Sequence, residues 1–402
     1  MIRKRNAKAA IFLLITVCFL LMISGCTSAP SHFSGENEEN ELNEVNGSTD
    51  IANGEDDTSF LLPDKELLDE MRREVLGISE DEEIDYALFK SVRKIIIENK
   101  KGKTEYIQEL YYQAPISFHI KDISYLILFE NVYNIQIFDI PVIIVPDLSA
   151  LDQVNRIFFS RCEIQSIEGL KNMKNLQFLS IYNEKDAVHL EDLYKISNLG
   201  NLEELYISGA ILNDDDIAFL ATDCPVSSSL HRIMLEGNSI TTLTYFFNLQ
   251  KVWQLNCDSN KIKIPYIDPD CRIANTLHTI SLRSNGINSL EGLSHLRNLG
   301  SLGVSENSIR KFDIVGTSIF DTLKYLNIDG NKLESLDGIV DLNNLRYLDL
   351  TENPSVKNFN QLAEAKFLDK LEELYLDEDA VIDIELLNRL PVQYSYPEEY
   401  SD

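Results

Sequence analysis

Residues 277–299, LHTISLRSNGINSLEGLSHLRNL, hold the repeat unit from which the fold is read. The apolar positions fall at Leu277, Ile280 and Leu282, then, past Asn285, at Ile287, Leu290, Leu293 and Leu296. Neither a pure helix period nor a pure strand period produces that spacing. The alternation at Ile280 and Leu282 is that of a short strand pointing two side chains inward. Asn285 stands where a buried turn needs an amide that can both donate to and accept from the backbone. The remainder returns the chain behind the strand, so that the next copy starts one strand spacing away. Such a unit is one coil of a solenoid.

The pattern recurs. Later copies read LGSLGVSENSI from Leu299, LKYLNIDGNKL from Leu323, LRYLDLTENPSV from Leu345 and LEELYLDEDAV from Leu371. Earlier ones read LQFLSIYNEKD from Leu176, LEELYISGAIL from Leu202, LHRIMLEGNSI from Leu230 and VWQLNCDSNKI from Val252, preceded by the weaker ISYLILFENVY from Ile123 and VNRIFFSRCEI from Val154. The turn position is then held by Asn131, Cys162, Glu184, Ala210, Asn238, Asn260, Asn285, Asn307, Asn331, Asn353 and Asp379. The consensus resembles L-x-x-L-x-L-x-x-N-x-L of the leucine-rich repeat family, with Glu184 and Ala210 departing from the family's Asn or Cys. The resemblance implies an α/β solenoid: a horseshoe of about eleven repeats with a parallel sheet on its concave face.

The N-terminus reads as a secretion leader. Arg3, Lys4, Arg5 and Lys8 precede an apolar run over 9–23, too short for an ordinary membrane span. Ile23-Ser24-Gly25-Cys26 resembles the bacterial lipobox, which implies cleavage before Cys26 and lipid on that cysteine. More than one acyl chain makes such anchoring stable. Residues 27–59 are rich in Glu and Asp, lack Lys and Arg, and cannot bury enough apolar surface to order themselves. Loss of the leader's basic residues takes the formal charge from −29 to about −33, which disfavours nucleic acid.

The organisation expected is a lipoprotein signal peptide at 1–25, an acidic tether at 26–60, an N-terminal cap with irregular first coils at 61–122, repeats at 123–384 and a C-terminal cap at 385–402. Within the first cap, PDKELLDEMRREVLG at 63–77 has its apolar residues on one helical face, Asp64 at its start and Gly77 past its end. It is similar to the helical cap of bacterial surface proteins of the internalin type. VRKIIIEN and APISFHI predict irregular strands after it. Residues 213–230 predict a helix on the convex side, started by the Asp run and packing Ile217, Phe219 and Leu220; residues 264–276 predict a loop. Of six cysteines, Cys162, Cys224, Cys257 and Cys271 lie in the repeats, on coils too far apart for disulfides, and are expected as buried thiols.

Side chains flanking the buried strand positions must point to the concave face. Phe158, Phe178, Tyr182 and Tyr206 make the N-terminal part of that face aromatic, a composition that often dominates protein contacts. Further along, Tyr325 and Tyr347 are expected to stack, with Asp329 and Asp349 beside them, a grouping suited to a sugar, a cationic peptide or a divalent ion. Calcium needs more converging oxygens than this, so no metal is expected. The histidines form no nucleophile or metal motif, no Gly-rich phosphate loop is present, and little chain remains for a catalytic domain. No enzyme activity and no cofactor are therefore expected. The function read from the sequence is that of a monomeric, cell-surface, lipid-anchored module that binds a protein or peptide on its concave face. A self-associating envelope component is the alternative.

Overall fold

A computed structural model describes residues 94–98, 123, 126–127, 129–139, 144–183, 189–314, 318–356 and 358–395; side chains at 94–98 and 393–395 are not described. These residues belong to one unit, Asp57–Asp402. Its frame is a single sheet of thirteen strands in strict sequence order, every neighbouring pair parallel. The strands are β1 Lys94–Glu98, β2 Asn134–Phe138, β3 Arg156–Ser160, β4 Phe178–Tyr182, β5 Glu204–Ser208, β6 Arg232–Met234 and β7 Gln254–Asn256. They continue as β8 Thr279–Ser281, β9 Ser301–Gly303, β10 Tyr325–Asn327, β11 Tyr347–Asp349, β12 Glu373–Asp377 and β13 Val392–Ser395. The sheet is open, and the horseshoe solenoid expected from the repeat spacing is the observed architecture.

The register follows the leucines. Ile280 pairs with Leu302, Leu302 with Leu326, Leu326 with Leu348 and Leu348 with Leu374, and all five are fully buried. Behind the strands the chain returns through 3₁₀ turns and single-turn helices. One coil contributes Leu290 and Leu293 to the core from such a turn, Glu291–Leu293. Burying apolar side chains such as Leu277, Ile280, Leu282, Ile287, Leu290, Leu293 and Leu296 of one coil, at ~25 cal/mol per Å², is what each repeat gains by stacking.

The asparagines join coil to coil. Asn307 donates through Nδ2 to Leu282 O (3.0 Å) in the coil before and to Val304 O (2.9 Å) in its own, while its Oδ1 accepts from Asn285, Gly286 and Ile287 N (3.1, 2.8 and 2.9 Å). Asn238, Asn260, Asn285, Asn331 and Asn353 bond in the same way. Five carbonyls, of Leu235, Cys257, Leu282, Val304 and Ile328, are therefore each held by two asparagines. The residue before each asparagine takes a left-handed backbone: Gly237, Ser259, Ser284, Glu306, Gly330 and Glu352. Glycine adopts that conformation without strain, whereas serine and glutamate there cost about 1 kcal/mol.

Several expectations are corrected. The coil placed at Ile123 is one half-repeat out: residues 126–127 lie in a 3₁₀ turn, and the strand is β2, in VYNIQIF, with Ile135 opposite Ile157. Val132 to Val154 gives the repeat length seen elsewhere, so Asn131 is not a ladder asparagine. The helix expected over 213–230 is three short pieces, Asp214–Ile217, Ala218–Ala221 and Pro225–Ser229; Pro225, which restricts Cys224 and lacks a donor, accounts for the break before the last. Its cap is Asn213, reciprocated by Asp216, and Ile217 and Leu220 are buried. Residues 264–276 are a loop ending in one helical turn, Ile273–Thr276. Residues 392–395 add a strand to the sheet beyond the expected last repeat. Asp379 is exposed, and the ladder stops at Asn353. Cys162 does take the asparagine's part, its Sγ donating to Ile137 O (3.3 Å) and Ser160 O (3.2 Å). Cys257 and Cys271 are buried and Cys224 half-buried. Glu184, Cys26 and residues 63–77 and 114–120 lie outside the described residues.

Candidate functional site

Each rung of the sheet offers its flanking side chains to the concave face, and neighbouring coils set them in rows. One row runs Arg156, Phe178, Glu204, Arg232, Gln254, Thr279, Ser301, Tyr325, Tyr347, Glu373. The next runs Gln136, Phe158, Ser180, Tyr206, Met234, Asn256, Ser281, Gly303, Asn327, Asp349, Tyr375. The strands are short and buried on their other side, so these positions are fixed by the leucine register.

In the N-terminal coils the aromatic residues pack among themselves and with the chain's own cations. The Arg156 guanidinium lies 4.3 Å from the centroid of Phe178, whose ring tilts against Tyr206 at 5.2 Å. Phe178 is 8% exposed. The Tyr206 hydroxyl donates to Glu204 (3.1 Å), which is ion-paired with Arg232, and Arg232 in turn lies 5.9 Å from the Trp253 ring centre. Burial pushes the Tyr206 hydroxyl well above the usual phenol range. Phe158 packs on Phe138 at 5.2 Å, and Tyr182, one row further, is 38% exposed. Of the residues expected as one patch, Phe178 and Tyr206 meet; Phe158 pairs instead with Phe138, which the misplaced first coil concealed.

In the C-terminal coils Tyr325 and Tyr347 stack at 4.1 Å with their planes 12° apart, as expected, and Tyr375 extends the set at 5.3 Å from Tyr347. Tyr375 occupies a concave position that the periodicity already marked, although the expected pair stopped at Tyr347. Carboxylates surround these rings. Asp349 Oδ1 accepts from Thr351 N (3.1 Å) and Oγ1 (2.7 Å), and Tyr375 donates to Glu373 (2.9 Å). Burial, then the charge of Asp349, pushes Asp329 up to about 6. Burial also raises Asp349, next to Asp377, and Asp258. Asp329, Asp349 and Glu373 all raise the Tyr325 hydroxyl, after burial, so negative charge gathers at that ring. Among the described residues no cation lies over Tyr325, Tyr347 or Tyr375, and no group of three His, Cys, Asp or Glu is placed to hold a metal ion.

Solved structures similar to this chain share the same architecture. An internalin of Listeria monocytogenes aligns over 86% of this chain and 97% of its own, with a TM-score of 0.59 and 18% identity. This chain has the leucine-rich repeat fold. A leucine-rich repeat protein of Leptospira interrogans covers 77% of this chain and 91% of its own at a TM-score of 0.47 and 17% identity. No protein-family model and no curated protein matches the sequence. No helix among the described residues is long and apolar enough to cross a membrane.

Proposed function

We propose that this leucine-rich repeat protein is a cell-surface binding module, held outside the cytoplasm by lipid on Cys26, that takes a protein or peptide on its concave face. The observation that carries this reading is the Tyr325–Tyr347–Tyr375 ladder, a run of aromatic rings on rigid strands with Tyr325 still 37% exposed. Rigid aromatics contribute large contact area at little entropic cost, and they anchor interfaces for that reason. Tyr182 supplies a second exposed ring on the same face. Phe158, Phe178 and Tyr206 position that region. The charged start, apolar run and Ile-Ser-Gly-Cys of the leader support the anchor.

Two experiments test the reading. In cells, Cys26→Ala should move the protein from the membrane to the soluble fraction and abolish incorporation of labelled palmitate; retention in the membrane would reject the lipid anchor. Cross-linking on intact cells should give adducts that disappear with Tyr182→Ser combined with Tyr325→Ser. Adducts unchanged by that pair, but lost on altering convex residues, would reject the concave face.

A further inference from the structure

The two aromatic regions of the concave face differ in what covers their rings, and the difference points to the ligand. In the N-terminal coils Phe178 has the Arg156 guanidinium of this chain nearby. Tyr325 is flanked on one side by Tyr347, stacked on it. On its other side runs β9, whose concave residues are Ser301 and Gly303, too small to reach over the ring. With Tyr325 itself 37% exposed, the register leaves room beside the outer face of its ring, a shallow bay above Ser301 and Gly303. The charge around it is negative: Asp329, Asp349 and Glu373 all act on the Tyr325 hydroxyl. Arg283, the nearby cation, is ion-paired with Glu306, which also accepts from Ser284.

We propose that this bay takes an arginine or lysine side chain of an extended cationic peptide segment, stacked on Tyr325 above Ser301 and Gly303 with its charge toward Asp329 and Asp349. The proposal rests on the concave-face reading and specifies the partner's chemistry. A cation on an aromatic face is attracted by the ring quadrupole, more strongly when partly desolvated. Here it would also relieve repulsion between Asp329 and Asp349, which Arg283, ion-paired with Glu306, offsets only in part. A neutral sugar could use the ring but leaves that repulsion in place, so charge complementarity selects the cation. The groups facing Asp329 are Asp349, Ser305, Arg283 and Glu306, and Asp377 acts on Asp349. With Asp329 half-protonated near pH 6, binding should weaken as pH falls from 7.5 to 5.

The test uses the full chain in detergent and a labelled peptide of alternating arginine and glycine, read by fluorescence anisotropy at physiological salt. The control peptide carries citrulline in place of arginine, which keeps the shape and removes the charge. Saturable binding is expected, weakened about tenfold by the citrulline exchange, by Tyr325→Ser and by Asp349→Asn. Ser301→Leu, which fills the bay while leaving the ring and the carboxylates in the protein, should weaken it comparably. Glu385→Gln, removing an exposed carboxylate elsewhere, should leave it unchanged. Circular dichroism melts confirm that each variant folds. Equal losses from Glu385→Gln and Asp349→Asn would mean diffuse charge attraction and overturn the proposal, as would no binding, or equal binding of citrulline peptide or a neutral oligosaccharide. If cross-linking still depends on Tyr182 and Tyr325 while the arginine preference is absent, the cationic occupant falls and the concave-face reading stands. If neither depends on those residues, both fall.

Discussion

From β2 to β5 the strands are five residues long, Cys162 and Ala210 stand at turn positions, and the concave aromatics, apart from the exposed Tyr182, are covered by each other or by Arg156. From β6 to β11 the strands are three residues long, the turns carry the asparagine ladder, and the concave aromatics are tyrosines among carboxylates. Between β2 and β11 the extent of strand pairing follows the turns. Where an asparagine Nδ2 takes the carbonyl that closes the rung, that carbonyl no longer serves the next strand, and the ladder of backbone pairing stops earlier. Where no asparagine is present, Ser160, Tyr182 and Ser208 continue the pairing. One region is thus finished by its own side chains. The other is rigid behind and unbalanced in front, which is how a binding surface differs from a packed one.

The contrast can be broken at its strongest point first. Asn307→Ala should destabilise the protein by about 4 kcal/mol in urea unfolding, because it strands buried backbone groups of two coils at once. Cys162→Ala should lose only about 1 kcal/mol, since a thiol is a weak donor. Phe178→Ala should cost about 3 kcal/mol as a buried aromatic and leave peptide anisotropy unchanged. Tyr325→Ala should cost about 1 kcal/mol, the value of its stacking, and abolish the arginine preference. Equal stability losses at these two rings would erase the distinction between packed and displayed aromatics.

Acidity sharpens the comparison further. Asp329 binds its proton more tightly in the fold than at its ordinary 3.8, so its stabilising contribution is complete below 3.8 and is lost as pH rises through about 6. Asp329→Asn should therefore match wild type near pH 4 and exceed it above pH 6 by about 1 kcal/mol, discounted for partial solvent screening. Thermal melts across that range give the difference directly; no gain at neutral pH would remove the electrostatic imbalance. The smallest effect belongs to the turns. Glu352 holds a positive φ that glycine adopts freely, so Glu352→Gly should stabilise by about 0.5 to 1 kcal/mol.

Most of this architecture was legible in the residues because a repeated pattern constrains itself: a misread rung would place leucines in water in every later coil. That protection fails at the ends. Around Val132 the pattern has one repeat beside it to check it and no asparagine at the turn, and the leucine spacing puts the strand nine residues early. Residues 213–230 have helical periodicity, yet Pro225 divides them, a local veto on a longer-range preference. For the surface, period-two alternation gave the facing of Tyr325, Tyr347 and Tyr375. It could not give the guanidinium over Phe178, since Arg156 and Phe178 become neighbours only through the register of β3 on β4. The same reason hid the bay, which exists because two small residues on one coil stand beside a tyrosine on the next.

The carbonyls of Leu235, Cys257, Leu282, Val304 and Ile328, each gripped from two coils, set how this molecule comes apart. No single turn of the spiral between them can open without tearing bonds that belong to its neighbour. Under tension or heat that stretch should rupture as one block, with amide exchange levelling to a common rate along it, while the coils before β6 peel away one after another.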